Sequence, residues 1–170
     1  MSRSLKSLLS GGFVLELAGR PGSGRREAAR RLLSALGGTA LYLDYSGTYW
    51  RSRGGWGGVS FESPGDPLEL LSAFSTAGEG VVVLDSIPRV FHAFDLEYRA
   101  RWGLVASLLG LAVDRASRGL GSIFINYWSG GRSFGEQVFS AYYTHRALVA
   151  RQDGRLALDF YCPSRVVLEV

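Results

Sequence analysis

Gly19-Arg20-Pro21-Gly22-Ser23-Gly24-Arg25-Arg26 separates an apolar, strand-like run (Phe13 to Ala18) from a helix-like run (Glu27 to Leu36). This is the setting of the phosphate-binding loop GxxxxGK[ST], in which glycines let backbone N–H groups curl around a phosphate. Gly19 and Gly24 hold the glycine positions, but Arg25 stands where the pattern has lysine and Arg26 where it has the Mg²⁺-binding hydroxyl. The expected nucleotide site is therefore Gly19, Gly22, Ser23, Gly24, Arg25 and Arg26. Two cations at a helix start oppose its macrodipole by a few tenths to about 1 kcal/mol each, so an anion seated there is favoured. The competing reading is that Glu27 and solvent offset the arginines and the glycines serve turn geometry alone.

Outward from the loop, buried-sheet character marks Phe13–Ala18, Ala40–Asp44, Val59–Glu62, Val81–Leu84 and Ser122–Asn126. Apolar strands alternating with crossovers predict an α/β fold with a mostly parallel, helix-flanked sheet. Glu27 to Leu36 puts Ala28, Ala29, Leu32, Leu33 and Leu36 on one stripe and stops at Gly37-Gly38. Asp66-Pro67-Leu68-Glu69 reads as a cap, a first-turn proline and a capping-box glutamate opening a helix to about Phe74. A long helix is predicted from about Leu96 to Arg118, with Trp102, Val105, Leu109, Ala112, Val113 and Ala116 facing the sheet. After Asn126 the pattern changes: His145–Ala150, the turn Gln152-Asp153-Gly154, Leu156–Tyr161 and Val166–Val170 predict antiparallel C-terminal strands.

Ligands of open parallel sheets bind beyond the carboxyl ends of the strands, which adds Asp85 and Asn126 to the site. Val81-Val82-Val83-Leu84-Asp85 has the form of the second nucleotide motif, an apolar strand ending in the acid that holds Mg²⁺ through water. In this order the segments resemble the ATPase core of the RecA/RadA recombinase family. Leu8-Leu9-Ser10-Gly11-Gly12 and Leu15-Glu16-Leu17-Ala18-Gly19 are similar to its lead into the loop. Tyr42-Leu43-Asp44-Tyr45-Ser46-Gly47-Thr48-Tyr49 resembles its YIDTEGTF, and Val83-Leu84-Asp85-Ser86-Ile87 its VIDSI. Ile123-Phe124-Ile125-Asn126 is similar to its VxTNQ strand and Thr144-His145-Arg146-Ala147-Leu148 to its TRLxL strand.

The resemblance implies a RecA-like P-loop three-layer sandwich over residues 1–170 as one core domain, lacking the family's N-terminal domain and polymerisation linker. It also locates the departures. The family's water-polarising glutamate corresponds to Ser46, its lysine to Arg25, its hydroxyl to Arg26, and the glutamine after the strand asparagine to Tyr127. Phosphoryl transfer depends on positioning, Mg²⁺ and an oriented water, so these losses together imply a degenerate site without catalytic residues. The resemblance then implies that no cofactor is required, with ATP or ADP bound without hydrolysis. The alternatives are a working ATPase using an arginine loop, and an inactive interaction subunit pairing with an active paralogue.

Composition is consistent with a nucleic-acid partner. The chain has 170 residues, 46% of them hydrophobic, and a formal charge of +4 in which Lys6 is the only lysine. Arginine suits planar, bidentate contact with phosphate, although a GC-rich genome gives the same bias. Tyr49-Trp50-Arg51-Ser52-Arg53-Gly54-Gly55-Trp56 interleaves aromatics with arginines, as single-stranded nucleic acid binders do. Trp50, Arg51, Arg53 and Trp56 are the expected DNA contacts, the competing reading being tryptophans packed in the core. Arg89, Arg99 and Arg101, and Arg132 in Gly130-Gly131-Arg132-Ser133, form further candidate patches near the family's DNA-facing loops.

Single-stranded DNA and a RadA-type recombinase or another paralogue are thus the expected partners. A lone Cys162 argues against a disulfide framework and suits a reducing, cytoplasmic setting. Scarce amides and a single methionine fit a heat-adapted protein, though the lack of lysine does not. Gly11, Gly12 and Glu16 break the N-terminal apolar run, which excludes a secretion signal, and no membrane span is expected.

Overall fold

The computed structural model describes residues 2–47 and 56–170, with side chains described from Leu5 onward. A short helix α1 (Ser2–Leu8) leads into β1 (Phe13–Gly19), then α2 (Arg25–Leu36), β2 (Ala40–Asp44) and β3 (Val59–Glu62). There follow α3 (Pro67–Thr76), β4 (Val81–Asp85), α4 (Ile87–Ala93), α5 (Tyr98–Ser117) and β5 (Gly121–Ser129). The chain ends with β6 (Arg132–Ser133), α6 (Glu136–Phe139), a 3₁₀ turn, β7 (His145–Gln152), β8 (Arg155–Cys162) and β9 (Val166–Glu169).

The main sheet runs β3-β2-β4-β5-β1-β7-β8-β9, with β6 paired to β5 alone. Neighbours from β3 through β7 are parallel, whereas β8 and β9 are antiparallel additions. The hairpin between β7 and β8 turns on Asp153 and Gly154, both at positive φ (50° and 78°), the backbone a type I′ turn requires.

Every residue of β1 is buried, and the two-residue period of a strand sends its side chains into two separate cores. Leu15 and Leu17 join Ile123, Ile125, Val83 and the α2 residues Ala28 and Leu32 on one face. Val14 joins Phe124, Val82, Leu84 and the α5 residues Val105 and Leu109 on the other. Helices therefore cover both faces of a parallel sheet, the arrangement that near-continuous apolar strands require.

The α3 cap forms as the sequence indicates: Asp66 Oδ1 accepts from the N–H groups of Leu68 and Glu69. Glu69 reaches back one residue further than a capping box, accepting from Gly65 N.

Three departures concern the helices. Ile87–Ala93 forms α4, where no helix was anticipated, and Ser2–Leu8 forms α1. On α5, Val113 is 43% exposed and does not face the sheet. The inward position falls instead on Arg115, which is buried and donates to the carbonyls of Ala77, Gly78 and Gly80 where α3 gives way to β4. Arg115 is thus a cap on a helix C-terminus, where unsatisfied carbonyls welcome a cation. Among the described residues, no helix is long and apolar enough to cross a membrane.

Candidate functional site

The loop lies at the carboxyl ends of β1, β4 and β5, where the sheet opens. Gly22 (φ +80°) and Gly24 (φ +93°) take left-handed backbone that other residues rarely adopt. A Cβ on Gly19 would stand 2.3 Å from Ser23 Oγ and 3.0 Å from the Val149 carbonyl, so the strand end and the loop close on each other there. Gly24 is the N-cap of α2 and no side chain caps this helix. Its first N–H groups, with the positive end of the dipole, face the cleft. Ser23 Oγ is buried at the loop's base with no hydrogen-bond partner among the described residues. The cleft measures about 380 Å³ and is lined by Pro21, Gly22, Gly24, Arg25, Arg26 and Asp85, with Arg89 and Tyr127 at its sides.

Strand parity decides which side chains meet. Tyr42, Val83 and Ile125 point toward α2, so two residues on from Val83, Asp85 also faces α2. Asp85 Oδ2 accepts from Arg26 Nε at 2.5 Å and from the Tyr42 hydroxyl at 2.9 Å. Burial opposes the charge on Arg26, but the Asp85 carboxylate outweighs it and raises the guanidinium's pKa. Burial and the neighbouring Asp85 charge raise that of the Tyr42 phenol, which stays a hydrogen-bond donor.

Arg25 takes another course. Its guanidinium lies 4.2 Å from the centroid of the Tyr127 ring and donates from Nη1 to the Asn126 carbonyl at 2.6 Å. Burial lowers its pKa despite the attraction of Tyr127 and Asp85. Asn126 therefore offers this face its backbone oxygen only. Its amide lies on the opposite face, donating to Glu16 Oε1 at 2.7 Å and to the Phe134 carbonyl at 2.9 Å.

Behind that amide lies a polar network that sequence reasoning did not find. Glu16 is wholly buried and accepts from Arg146 Nε at 2.7 Å. Arg146 also donates to Glu136 Oε1 at 2.9 Å and Ser133 Oγ at 3.0 Å. Together these contacts hold the β5–β6 hairpin, turned by Gly130 and Gly131, against the sheet. The available signal was a carboxylate inside an apolar strand, since a buried charge demands a partner.

Ser46, at the position of the family's glutamate, turns back on its own strand: both its N–H and its hydroxyl donate to Asp44 Oδ1. Among the expected DNA contacts, Trp50, Arg51 and Arg53 lie outside the described residues. The Trp56 ring packs edge-to-face on Tyr42 and Phe61, at 5.3 and 5.5 Å between centroids, against the α2-side core. Arg89 is exposed and lines the loop cleft. Arg99 is exposed, while Arg101 donates to the Leu96 carbonyl and meets His92 Nδ1 at 3.2 Å, rather than pairing with Asp95 or Glu97. Arg132 is exposed beside a groove floored by Trp102 and Phe134, whose rings stack at 5.9 Å. No group of three or more His, Cys, Asp or Glu among the described residues is arranged to hold a metal.

No family model matches the chain, and no curated protein matches it in sequence. Solved structures do match in shape. A KaiC-like protein from the hyperthermophilic archaeon Pyrococcus horikoshii superposes with a TM-score of 0.71 at 13% identity, over 94% of this chain and 85% of that one. RadB recombinase superposes with a TM-score of 0.67 at 19% identity, over 98% of this chain and 92% of that one. The expected mostly parallel sheet with antiparallel C-terminal strands is present, and at these identities the likeness establishes a RecA-like α/β fold.

Proposed function

We propose that this protein is a non-hydrolysing RecA/RadA-like paralogue that binds DNA, a recombinase, or both, as an accessory factor in homologous recombination and DNA repair. The observation that carries the first half is the Arg26–Asp85 pair: the strand-end acid is engaged by the protein's own cation. Ser46 has no carboxylate with which to orient a water, and its hydroxyl is turned onto Asp44. With Arg26 also standing at the hydroxyl position, three roles that phosphoryl transfer needs lack their usual residues or have them otherwise engaged: the loop hydroxyl, the strand-end acid and the water-orienting carboxylate. The shape shared with RadB recombinase supports the second half, as do the exposed Arg89, Arg99 and Arg132 and, in the sequence alone, the interleaved Trp50, Arg51 and Arg53.

Phosphate release is the direct test of the first half. ATP turnover should stay at the buffer rate with and without single-stranded DNA; turnover abolished by Asp85→Ala would end the non-hydrolysing reading in favour of an ATPase with an arginine loop. Fluorescence polarisation with a single-stranded oligonucleotide over a salt series tests the second. Binding should weaken steeply with salt, and its absence at low salt would remove DNA from the proposal. Co-purification with a recombinase-like partner in that case would support an interaction subunit.

A further inference from the structure

The fold implies a specific companion for a triphosphate: Mg²⁺ held by the loop hydroxyl and, through water, by the strand-end acid. The residues here do not fit that ion. Arg26 replaces the hydroxyl. Asp85 is 3% exposed, and its Oδ2 already accepts from Arg26 and Tyr42. Tyr42 is wedged between Trp56 and Phe61, which prevents it from swinging away from the carboxylate. Mg²⁺ demands near-octahedral oxygen ligands and gives up water reluctantly, whereas this position holds a guanidinium.

The cleft nonetheless remains suited to an anion. Arg26 uses Nε on Asp85 and makes no other hydrogen bond among the described residues, leaving both terminal nitrogens for the cleft. Arg25 and Arg89 line the same space. Glu27 also lines the cleft, but its carboxylate is already paired with Arg30 and Arg31, which offsets its charge there. The uncapped N-terminus of α2, whose first residues line the same cleft, adds backbone donors beside Arg25 and Arg26.

We infer that the cradle takes a phosphate group without Mg²⁺, the Arg26 guanidinium standing in place of the ion, so that its ligand is a metal-free nucleotide or free phosphate. The inference rests on the reading of the loop as a retained phosphate cradle. It reverses the usual requirement of such loops: Mg²⁺ bridging the ligand's phosphates would be brought against a fixed cation and would be repelled.

Isothermal titration of the full chain with ATP, ADP and inorganic phosphate, each in chelator and in excess Mg²⁺, tests this. Affinity in chelator should equal or exceed that in Mg²⁺. A gain of about tenfold or more on adding Mg²⁺ would overturn the inference while leaving the cradle intact. No heat from any of the three ligands in either buffer would remove the cradle and the inference together. Nucleotide binding well above phosphate binding identifies a nucleotide as the ligand, and equal binding identifies the bare phosphate.

Two variants extend the test. Arg26→Thr returns a hydroxyl and removes the cation from Asp85, leaving Tyr42 as its donor, so binding should become Mg²⁺-dependent. Should that variant fail to fold, Asp85→Asn keeps an acceptor for Tyr42 and removes the charge that holds Arg26; its affinity should rise several-fold and stay independent of Mg²⁺. Loss of affinity in Asp85→Asn with native circular dichroism would count against Arg26 as the anion's partner.

Discussion

Arg26, on the first turn of α2, and Asp85, the last residue of β4, meet through one guanidinium nitrogen and one carboxylate oxygen at 2.5 Å, joining the helix to the sheet across the mouth of the loop. The pair is asymmetric: the arginine side chain is 41% exposed and the aspartate side chain 4%. Removing the cation therefore strands a buried anion, while removing the anion leaves a cation that water can reach.

Arg26→Met should accordingly cost more than Asp85→Asn. We expect about 1–3 kcal/mol for Arg26→Met, below the value for a fully buried pair because solvent reaches the arginine, and under about 1 kcal/mol for Asp85→Asn. Urea denaturation followed by circular dichroism measures both, and the reverse order would show that Tyr42 alone satisfies the carboxylate.

Glu16 tests the buried network on the other face. Glu16→Gln places an amide opposite both Arg146 Nε and Asn126 Nδ2, so at least one donor faces another donor. The expected loss is about 2–4 kcal/mol, with the β5–β6 hairpin the first region to gain hydrogen exchange. A loss spread evenly over the sheet would show that the network supports the core at large and not the hairpin in particular.

Much of the architecture was legible because the strands and caps follow local rules. The apolar runs gave five parallel strands, Asp66-Pro67 gave the start of α3, and Asp153-Gly154 gave the β7–β8 hairpin. What escaped depended on tertiary partners. Arg115 shows no sign of its burial until the end of α3 is brought to it, and Val113 reads as core until α5 is rotated by that choice. Trp56 sits in a sequence that suggests base stacking, yet Tyr42 and Phe61 claim its ring. Within the site, the loop and its acid could be located from spacing. The pairing of Arg26 with Asp85, and of Arg25 with the Asn126 carbonyl and the Tyr127 ring, could not, because neither partner is near in sequence.

Arg115→Ala offers a measure of that tertiary choice. It leaves the carbonyls of Ala77, Gly78 and Gly80 without their donor and a cavity beneath α5. A loss of about 2–4 kcal/mol is expected by thermal or urea unfolding, with Arg115→Lys recovering part of it. A loss within experimental error would mean that water replaces the guanidinium.

Acid should unlock the first turn of α2. Hydrogen bonds from Arg30 and Arg31 hold the Glu27 pKa down to about 2, from an ordinary value of 4.5. A depressed carboxylate contributes stability that is present above its unfolded value and disappears as pH falls through its folded one. The contribution is therefore complete at neutral pH and is lost between about pH 4.5 and 2. Glu27→Gln should be less stable than wild type by about 0.5–1 kcal/mol at pH 7, since both arginines are solvent-accessible, and the gap should close by pH 2. A gap unchanged across that range would assign the effect to packing.

The hairpin that ends at Gly130 and Gly131 is fastened from within, by Asn126 through the Phe134 carbonyl and by Arg146 through Ser133 and Glu136. A surface anchored in this way is set before any partner arrives, so association there forfeits little chain entropy and discriminates by fit instead of by adaptation. Molecules that need a yielding partner would find this turn a poor host, and those matching its contour would leave slowly.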